Sequence, residues 1–394
     1  MRVAYVTLYD SRDPEVFNGF GYWAGKSMQH DGLELDYLVP AGRPNRFAVA
    51  VKARLYKRVL RQWYTHNRDR RRVRGYGREI AETLKARPAD VVLSPYSPGS
   101  QPVAYLECTQ PIVIWSDATL AQVIHEGGTE AKLCRESRRD GLRNEAAALS
   151  RASLLLYLSD WAARSAIEHH GVNPEKVHVL PSGPNLEIDH SRADVQSMID
   201  SRSEEGCRLL FCGKNWQTKG ADIAVETAAA LNRLGIPARL DIVGSRPSDG
   251  QELPEFVRLH GFLRKSVPNE LETLCQLYRD AHFFLLPTRW EPFGHVFTEA
   301  AAFGVPSIAT QVGGVPTAVH DGVSGKLLPL AAEPDDYAAL ISDLLNDWAG
   351  YRLLAATSFA EYESRFAWSV VVARLKRLFA SVTEPQSTHV YDLV

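Results

Sequence analysis

Along most of this chain, short apolar runs alternate with longer stretches in which apolar residues recur every three or four positions. In the first half the runs are Val3–Leu8, Leu35–Val39, Val91–Ser94, Ile112–Trp115, Leu154–Leu158 and Val177–Leu180. In the second half they are Leu209–Phe211, Leu240–Val243, Val257–Leu259, Phe283–Leu286, Ser307–Thr310 and Lys326–Leu328. Strands spaced by helical patterns predict an α/β chain with parallel sheets covered by helices on both faces. Asn185–Gly206 breaks the rhythm: it is polar, carries few large apolar residues and has little strand pattern. The expected division is therefore a first domain over 1–184, a linker over 185–206, a second domain over 207–365 and a tail over 366–394. Within the tail, Phe366–Phe379 reads as a helix with a basic side at Arg374, Lys376 and Arg377. Two such sheets leave a cleft over the carboxyl ends of their strands, where ligands bind in this architecture.

The length of 394 residues exceeds one ordinary core and agrees with two domains. An apolar content of 45% with 23% charged residues is that of a globular protein. No run approaches the length needed to cross a bilayer, and the apolar stretch at Met1–Leu8 is too short for a signal peptide. Five cysteines, an odd number without C-x-x-C spacing, favour reduced thiols in a cytoplasmic protein over a disulfide frame or a zinc site. With 45 basic against 47 acidic residues, nothing global suggests nucleic acid. Charge is uneven locally, however. From Lys52 to Arg78 there are eleven Lys or Arg and one acid, Asp69. If Ala48–Tyr64 is helical, Val51, Leu55, Val59 and Trp63 share one face, with Arg54, Lys57, Arg58 and Arg61 on the other. Such a helix either lies on the inner face of an anionic membrane or packs its apolar side on the domain, and the second arrangement is the commoner. Arg70-Arg71-Arg72 is too short to argue nucleic acid.

The chemistry concentrates in Glu291-Pro292-Phe293-Gly294-His295-Val296-Phe297-Thr298-Glu299-Ala300. A buried strand ends before it, a helix opens at Gly294, and two carboxylates stand eight residues apart. A strand turning sharply into a helix aims unpaired N–H groups at one spot, which attracts phosphate. Carboxylates beside it suit the hydroxyls of a sugar or ribose. This decapeptide resembles the donor-site signature of retaining family 4 glycosyltransferases of the GT-B fold, two Rossmann-like domains facing a deep cleft. Three further stretches are similar to that family in the expected order: Phe211-Cys212-Gly213-Lys214 through Lys219-Gly220, Gly313-Gly314-Val315-Pro316, and Asp321-Gly322-Val323-Ser324-Gly325. The likeness is dense from about 209 to 330 and thin in the first half.

The resemblance implies a nucleotide-diphosphate sugar as donor substrate, UDP ahead of GDP, with no cofactor and no metal; the chain has no Asp-x-Asp. Lys214 and Lys219, beside Gly213, would face the pyrophosphate, the family's usual Arg being Lys at 214. Glu291 would contact the donor sugar and Glu299 the ribose. Phe293, Gly294, His295 and Val296 would cradle phosphate, and Phe262 and Thr288 would flank the base, unless Phe262 is a core residue. Gly19 and Gly21, after the first strand, fit the family's glycine loop; Gly25-Lys26-Ser27 makes the same stretch a near-miss of a Walker A loop, with Phe20 where glycine is required. Where many members have a His after the fourth strand, this chain has Ser116-Asp117, the nearest His being His125. Asp117 then either accepts from a sugar hydroxyl or caps the next helix. The last helix of the family crosses back onto the first domain. The implied activity is retaining hexosyl transfer to a glycan, lipid-linked or small-molecule acceptor. The alternatives are an epimerase or phosphorylase of the same fold, or a catalytically silent binding subunit. Retention of Lys219, Glu291 and Glu299 argues against the silent reading.

Overall fold

The computed structural model describes residues 1–41, 46–95, 98–99, 101–126, 132–247 and 252–384. Every apolar run named above forms a strand: β1 Arg2–Val6, β2 Glu34–Leu38, β3 Val91–Pro95, β4 Ile112–Ser116, β5 Leu154–Tyr157, β6 Val177–Val179, β7 Cys207–Cys212, β8 Ala238–Val243, β9 Val257–Gly261, β10 Phe283–Leu286, β11 Ser307–Thr310 and β12 Gly325–Leu328. They build two six-stranded sheets, ordered β2-β1-β3-β4-β5-β6 and β12-β11-β10-β7-β8-β9, with every pairing parallel. Both faces of each sheet are covered, so the central strands are apolar throughout instead of alternating. In β1, Val3 and Tyr5 enter one core while Ala4 and Val6 enter another, as the two-residue side-chain period requires.

The first of those cores runs on into the second domain. Trp115 meets Trp368 edge to face at 6.4 Å, and its Nε1 donates to the Leu180 carbonyl at 2.9 Å. Trp368 lies against Gly183, where any Cβ would collide with the indole, and donates to the Pro184 carbonyl. Helix Trp368–Thr383 packs on helix Phe20–His30, with Lys376 3.7 Å from the Asp31 carboxylate. The last ten positions of the 366–394 tail lie outside the described residues.

The polar 185–206 segment holds helix Arg192–Asp200, opened by a capping box in which Ser191 and Asp194 satisfy each other's backbone N–H groups. Val195 and Ile199, four apart, press on Gly304 beside helix Trp348–Glu361. Arg202 then enters the second domain and donates to the carbonyls of Phe303 and Gly304 at 2.9 and 2.6 Å.

The basic region departs from expectation. A helix runs over Arg46–Leu55, continues as one wider turn over Tyr56–Leu60, and stops at Arg61, whose φ of 50° ends it before Tyr64. Its apolar side does not pack on the domain. Phe47, Val51, Leu55, Val59 and Leu60 are between 52% and 80% exposed. The inward side is polar: Lys52 pairs with Glu136 at 2.7 Å and lies 4.4 Å over the Tyr64 ring, which stacks on Tyr56. The next helix, Arg70–Ala86, is built the usual way, capped by Asp69 and burying Val73, Tyr76, Ile80 and Leu84. Among the described residues no helix is long and apolar enough to cross a membrane. All five cysteines are unbridged.

Candidate functional site

In the second sheet the chain turns outward on both sides of the β10–β7 pair, because β8 and β9 follow β7 while β11 and β12 follow β10. Loops leaving the two strands therefore diverge and open a crevice at their carboxyl ends. A cavity of about 590 Å³ occupies it, closed opposite by first-domain residues.

The loop after β10 is shaped by close backbone approaches. Gly220 has φ of 76°, and a Cβ there would overlap the Pro287 carbonyl. Gly313, with φ of 53°, abuts the Glu291 carbonyl, and Gly314 abuts that of Pro292. Gly314 N–H donates to Glu291 O at 2.9 Å. The Lys-Gly and Gly-Gly-x-Pro turns thus clasp the Glu-Pro-Phe-Gly loop from two sides. Ser159 of the first domain adds a third point, donating to the Pro292 carbonyl at 3.1 Å. Gly294, φ 83°, then starts helix His295–Ala302.

Charged groups in the cavity are paired across these turns. Lys219 Nζ lies 2.7 Å from Glu291 Oε2, both side chains being mostly buried. Glu299, 1% exposed, takes a hydrogen bond on each oxygen, from Lys265 Nζ and from Tyr278 Oη. Cys212 lies beside Tyr278; burial pushes its thiol up to about 12, which keeps it neutral. Lys214 lines the cavity with its ammonium 5.0 Å over the Phe262 ring. His295 sits 2.8 Å from Ser182 Oγ and stacks on Phe20. Burial, and after it the Lys265 charge, lowers its pKa to about 3, so the ring is neutral.

The structure gathers Gly213, Lys214, Lys219, Phe262, Glu291, Phe293, Gly294, His295, Val296, Glu299 and, from the other wall, Asp117 around this one cavity. Phe262 is half exposed, not a core residue. Asp117 does not cap the next helix: that role belongs to Thr119, whose Oγ1 accepts from the Gln122 N–H at 3.2 Å. His125 stacks on His169 away from the cavity. Three expected residues stand apart. Gly19 is covered by Pro14, Gly21 packs on Ser11, and the buried Thr288 donates to backbone carbonyls of Thr218 and Trp290; none of them lines the cavity. The reason for the first two is that the chain after β1 folds back over its glycines, so that Tyr9, Pro14 and Glu15 face the cavity instead.

Lys265, Tyr278 and Arg68 went unrecognised in the sequence. Lys265 follows Gly261-Phe262 by three residues, and Tyr278 shares the buried face of helix Pro268–Asp280 with Leu274, so both carried a weak signal. Arg68 looked like one more surface cation in a basic run, yet it is 5% exposed and lines the cavity.

Residues 25–188 match the family model described as Glycosyltransferase Family 4, and 206–347 match Glycosyl transferases group 1. A D-inositol 3-phosphate glycosyltransferase of Nocardiopsis dassonvillei is 31% identical over 289 residues, 68% of this chain and 66% of the relative. One from Catenulispora acidiphila is 32% identical over 62% of this chain and 60% of its own length. The chain thus spans somewhat under two thirds of these curated relatives. Among solved structures, sucrose-phosphate synthase from Thermosynechococcus elongatus superposes with a TM-score of 0.68 at 16% identity, over 96% of this chain and 98% of that one. Anabaena HepE in complex with UDP does so at 0.64 and 16%, over 97% and 100%. Two doubly wound domains, the clasped Glu-Pro-Phe-Gly loop and these matches lead to one conclusion: the chain belongs to the family 4 glycosyltransferases of the GT-B fold.

Proposed function

We propose that this chain transfers a hexosyl group, with retention and without a metal, from a UDP-sugar to a hydroxyl of an acceptor seated on the first-domain wall. The observation that carries the reading is the pairing of Lys219 with Glu291 beside the opening of helix His295–Ala302, inside a cavity that also holds Glu299. The first N–H groups of a helix lack partners one turn back and, with the helix dipole, favour an anion. When a pyrophosphate enters, Lys219 exchanges its carboxylate partner for a phosphate oxygen. Glu291 is thereby released toward the sugar hydroxyls. The ribose hydroxyls take the place of the Lys265 or Tyr278 donor on Glu299, which accepts from both. In the transfer itself, the bond from the sugar's anomeric carbon to the phosphate oxygen breaks and a bond to the acceptor oxygen forms. The acceptor's proton passes to the leaving phosphate. Lys219 and Lys214 offset the charge that grows there, in a partly dry cleft where it counts most.

UDP is favoured over GDP because a structural neighbour of the same fold is described in complex with it. The acceptor wall presents Tyr9, Thr65, Asn67, Arg68, Asp117 and Asn185, a set suited to a hydroxylated and anionic group. The names of the relatives, which act on an inositol phosphate, agree with that chemistry.

The test is thermal unfolding of the purified protein with UDP, GDP and ADP in EDTA. At 100-fold excess over Kd, the cognate nucleotide adds about 2.7 kcal/mol. Stabilisation by UDP in the wild type, lost in Lys219→Ala and Glu299→Ala, supports the donor site. Absence of stabilisation by every nucleotide returns the chain to a silent binding role.

A further inference from the structure

The helix over Arg46–Leu60 is inside out. Among the described residues, six of the fifteen large hydrophobics that stand exposed fall between Phe47 and Trp63. They lie 52% to 80% open to solvent, while Lys52 and Tyr56, on the opposite side, contact Glu136 of the domain. Water is a poor solvent for such a ridge, and a lone domain would have folded with it turned inward. The segment is instead held apolar-side out by polar contacts: the Lys52–Glu136 pair, the Tyr56–Tyr64 stack, and the Trp63 backbone, which exchanges hydrogen bonds with Lys132 and Cys134 at 2.9 Å.

Two features identify what covers the ridge. Its flanking charges are all of one sign. Arg54, Lys57, Arg58 and Arg61, expected on the face opposite the apolar residues, are instead exposed together with them, the inward side being held by Lys52 and Tyr56, and from Arg46 to Arg68 the chain has no Asp or Glu. A protein interface of this kind ordinarily mixes signs, whereas an interfacial helix on an anionic bilayer joins an apolar face to Lys and Arg, with Trp at its edge. The ridge also leads directly into the cleft: Thr65, Asn67 and Arg68, two to five residues past Trp63, line the cavity on the acceptor side.

We infer that Phe47–Trp63 is a docking surface for an anionic lipid bilayer, with Phe47, Val51, Leu55, Val59, Leu60 and Trp63 entering the headgroup–acyl boundary and Arg54, Lys57, Arg58 and Arg61 on lipid phosphates. Docked in this way, the acceptor wall of the cleft opens next to the membrane surface. The acceptor is then a hydroxylated head group carried by a lipid, a corollary that rests on the glycosyltransferase reading, while the docking itself does not.

The experiment is co-sedimentation of the full chain with vesicles of phosphatidylcholine, alone or with one third phosphatidylglycerol, together with the UDP-induced thermal shift of the same proteins. The variants are Val59→Asp with Leu60→Asp, and Arg54→Glu with Arg58→Glu; all four positions are exposed, and unchanged thermal unfolding of the variants is expected. The wild type is expected to bind phosphatidylglycerol vesicles about tenfold or more above phosphatidylcholine. The aspartate pair loses binding to both, and the glutamate pair loses the preference for the anionic lipid. No binding to anionic vesicles, or equal binding by the variants, overturns docking even where the UDP shift persists. A wild-type dimer that the aspartate pair dissociates overturns it in favour of a second copy of this chain. Loss of the UDP shift with vesicle binding intact sinks the donor-site reading and leaves docking standing.

Discussion

The two walls of the cleft are made in different ways. On the second-domain wall, two turns distant in the chain press glycines onto backbone carbonyls of one loop, and each carboxylate arrives already paired, Glu291 with Lys219 and Glu299 with Lys265 and Tyr278. On the first-domain wall, the cavity is faced by irregular segments after β1, ahead of helix Arg70–Ala86 and after β4, and the close glycine contacts there run mostly to side chains, Gly21 to Ser11 and Gly99 and Gly141 to Leu120 and Arg68. Fixed dipoles and charges reorganise little when a ligand's charge changes, so the tightly clasped wall suits the pyrophosphate of the proposed donor, and the other wall the proposed acceptor.

The largest expected effect breaks the clasped wall chemically. Lys219→Ala removes a cation from the leaving phosphate, and kcat/KM should fall about 10²- to 10³-fold, roughly 3–4 kcal/mol; steady-state turnover of UDP-glucose or another UDP-sugar checks this. Gly314→Ala attacks the same wall sterically, since its Cβ would meet the Pro292 carbonyl and Ser159. A loss of about 3 kcal/mol in denaturant unfolding is expected. Gly235→Ala, where φ of 83° strains any side chain but the space around it is open, should cost only about 1 kcal/mol. Gly314 has an ordinary φ of -88°, so its loss measures the close approach alone, and equal losses would show that the clasp costs no more than a strained φ in open space.

A third prediction probes the root of the wall. His282 is buried between β7 and β10, accepting from Arg208 N–H at Nδ1 and donating from Nε2 to Ser203 O. Burial lowers its pKa to about 4. Between that value and the free value near 6.5 the unfolded chain holds a proton that the folded chain lacks. Stability is therefore complete above about pH 6.5 and falls by about 1.4 kcal/mol per pH unit below it, until about pH 4. His282→Asn keeps an acceptor for Arg208 and should flatten the slope between pH 6 and 5 by that amount, read from urea midpoints. The smallest effect belongs to the looser wall. Asp117→Asn should raise the acceptor KM about tenfold, roughly 1.4 kcal/mol, while the UDP-induced thermal shift stays unchanged. A lost shift would place Asp117 on the donor side and blur the contrast between the walls.

Sequence legibility followed the same contrast. All twelve strands were readable because sheets covered on both faces leave uninterrupted apolar runs. The clasped loop was readable because its geometry demands glycine at particular turns and its chemistry demands two acids at a set spacing. Lys265 and Tyr278 were not, since they reach Glu299 from 34 and 21 residues away in sequence and no local rule links them. The place of the glycine loop was also beyond local rules: only the folded chain reveals that Pro14 lies against Gly19 and Ser11 against Gly21, and that neither glycine lines the cavity. The helix over Arg46–Leu60 exposes a sharper limit. A periodic pattern says which side of a helix is apolar, and it does not say which side the rest of the domain will face.

The crossing of helix Trp368–Thr383 onto helix Phe20–His30 has a consequence for biosynthesis. Val371, Val372, Leu375 and Phe379 complete a core whose other members, Phe20, Ala24 and Met28, leave the ribosome more than three hundred residues earlier. At ordinary elongation rates that separation lasts roughly 20–70 s. Through that interval the flank of helix Phe20–His30 that this core covers waits for its partner, and the first domain is complete only when helix Trp368–Thr383 has been made.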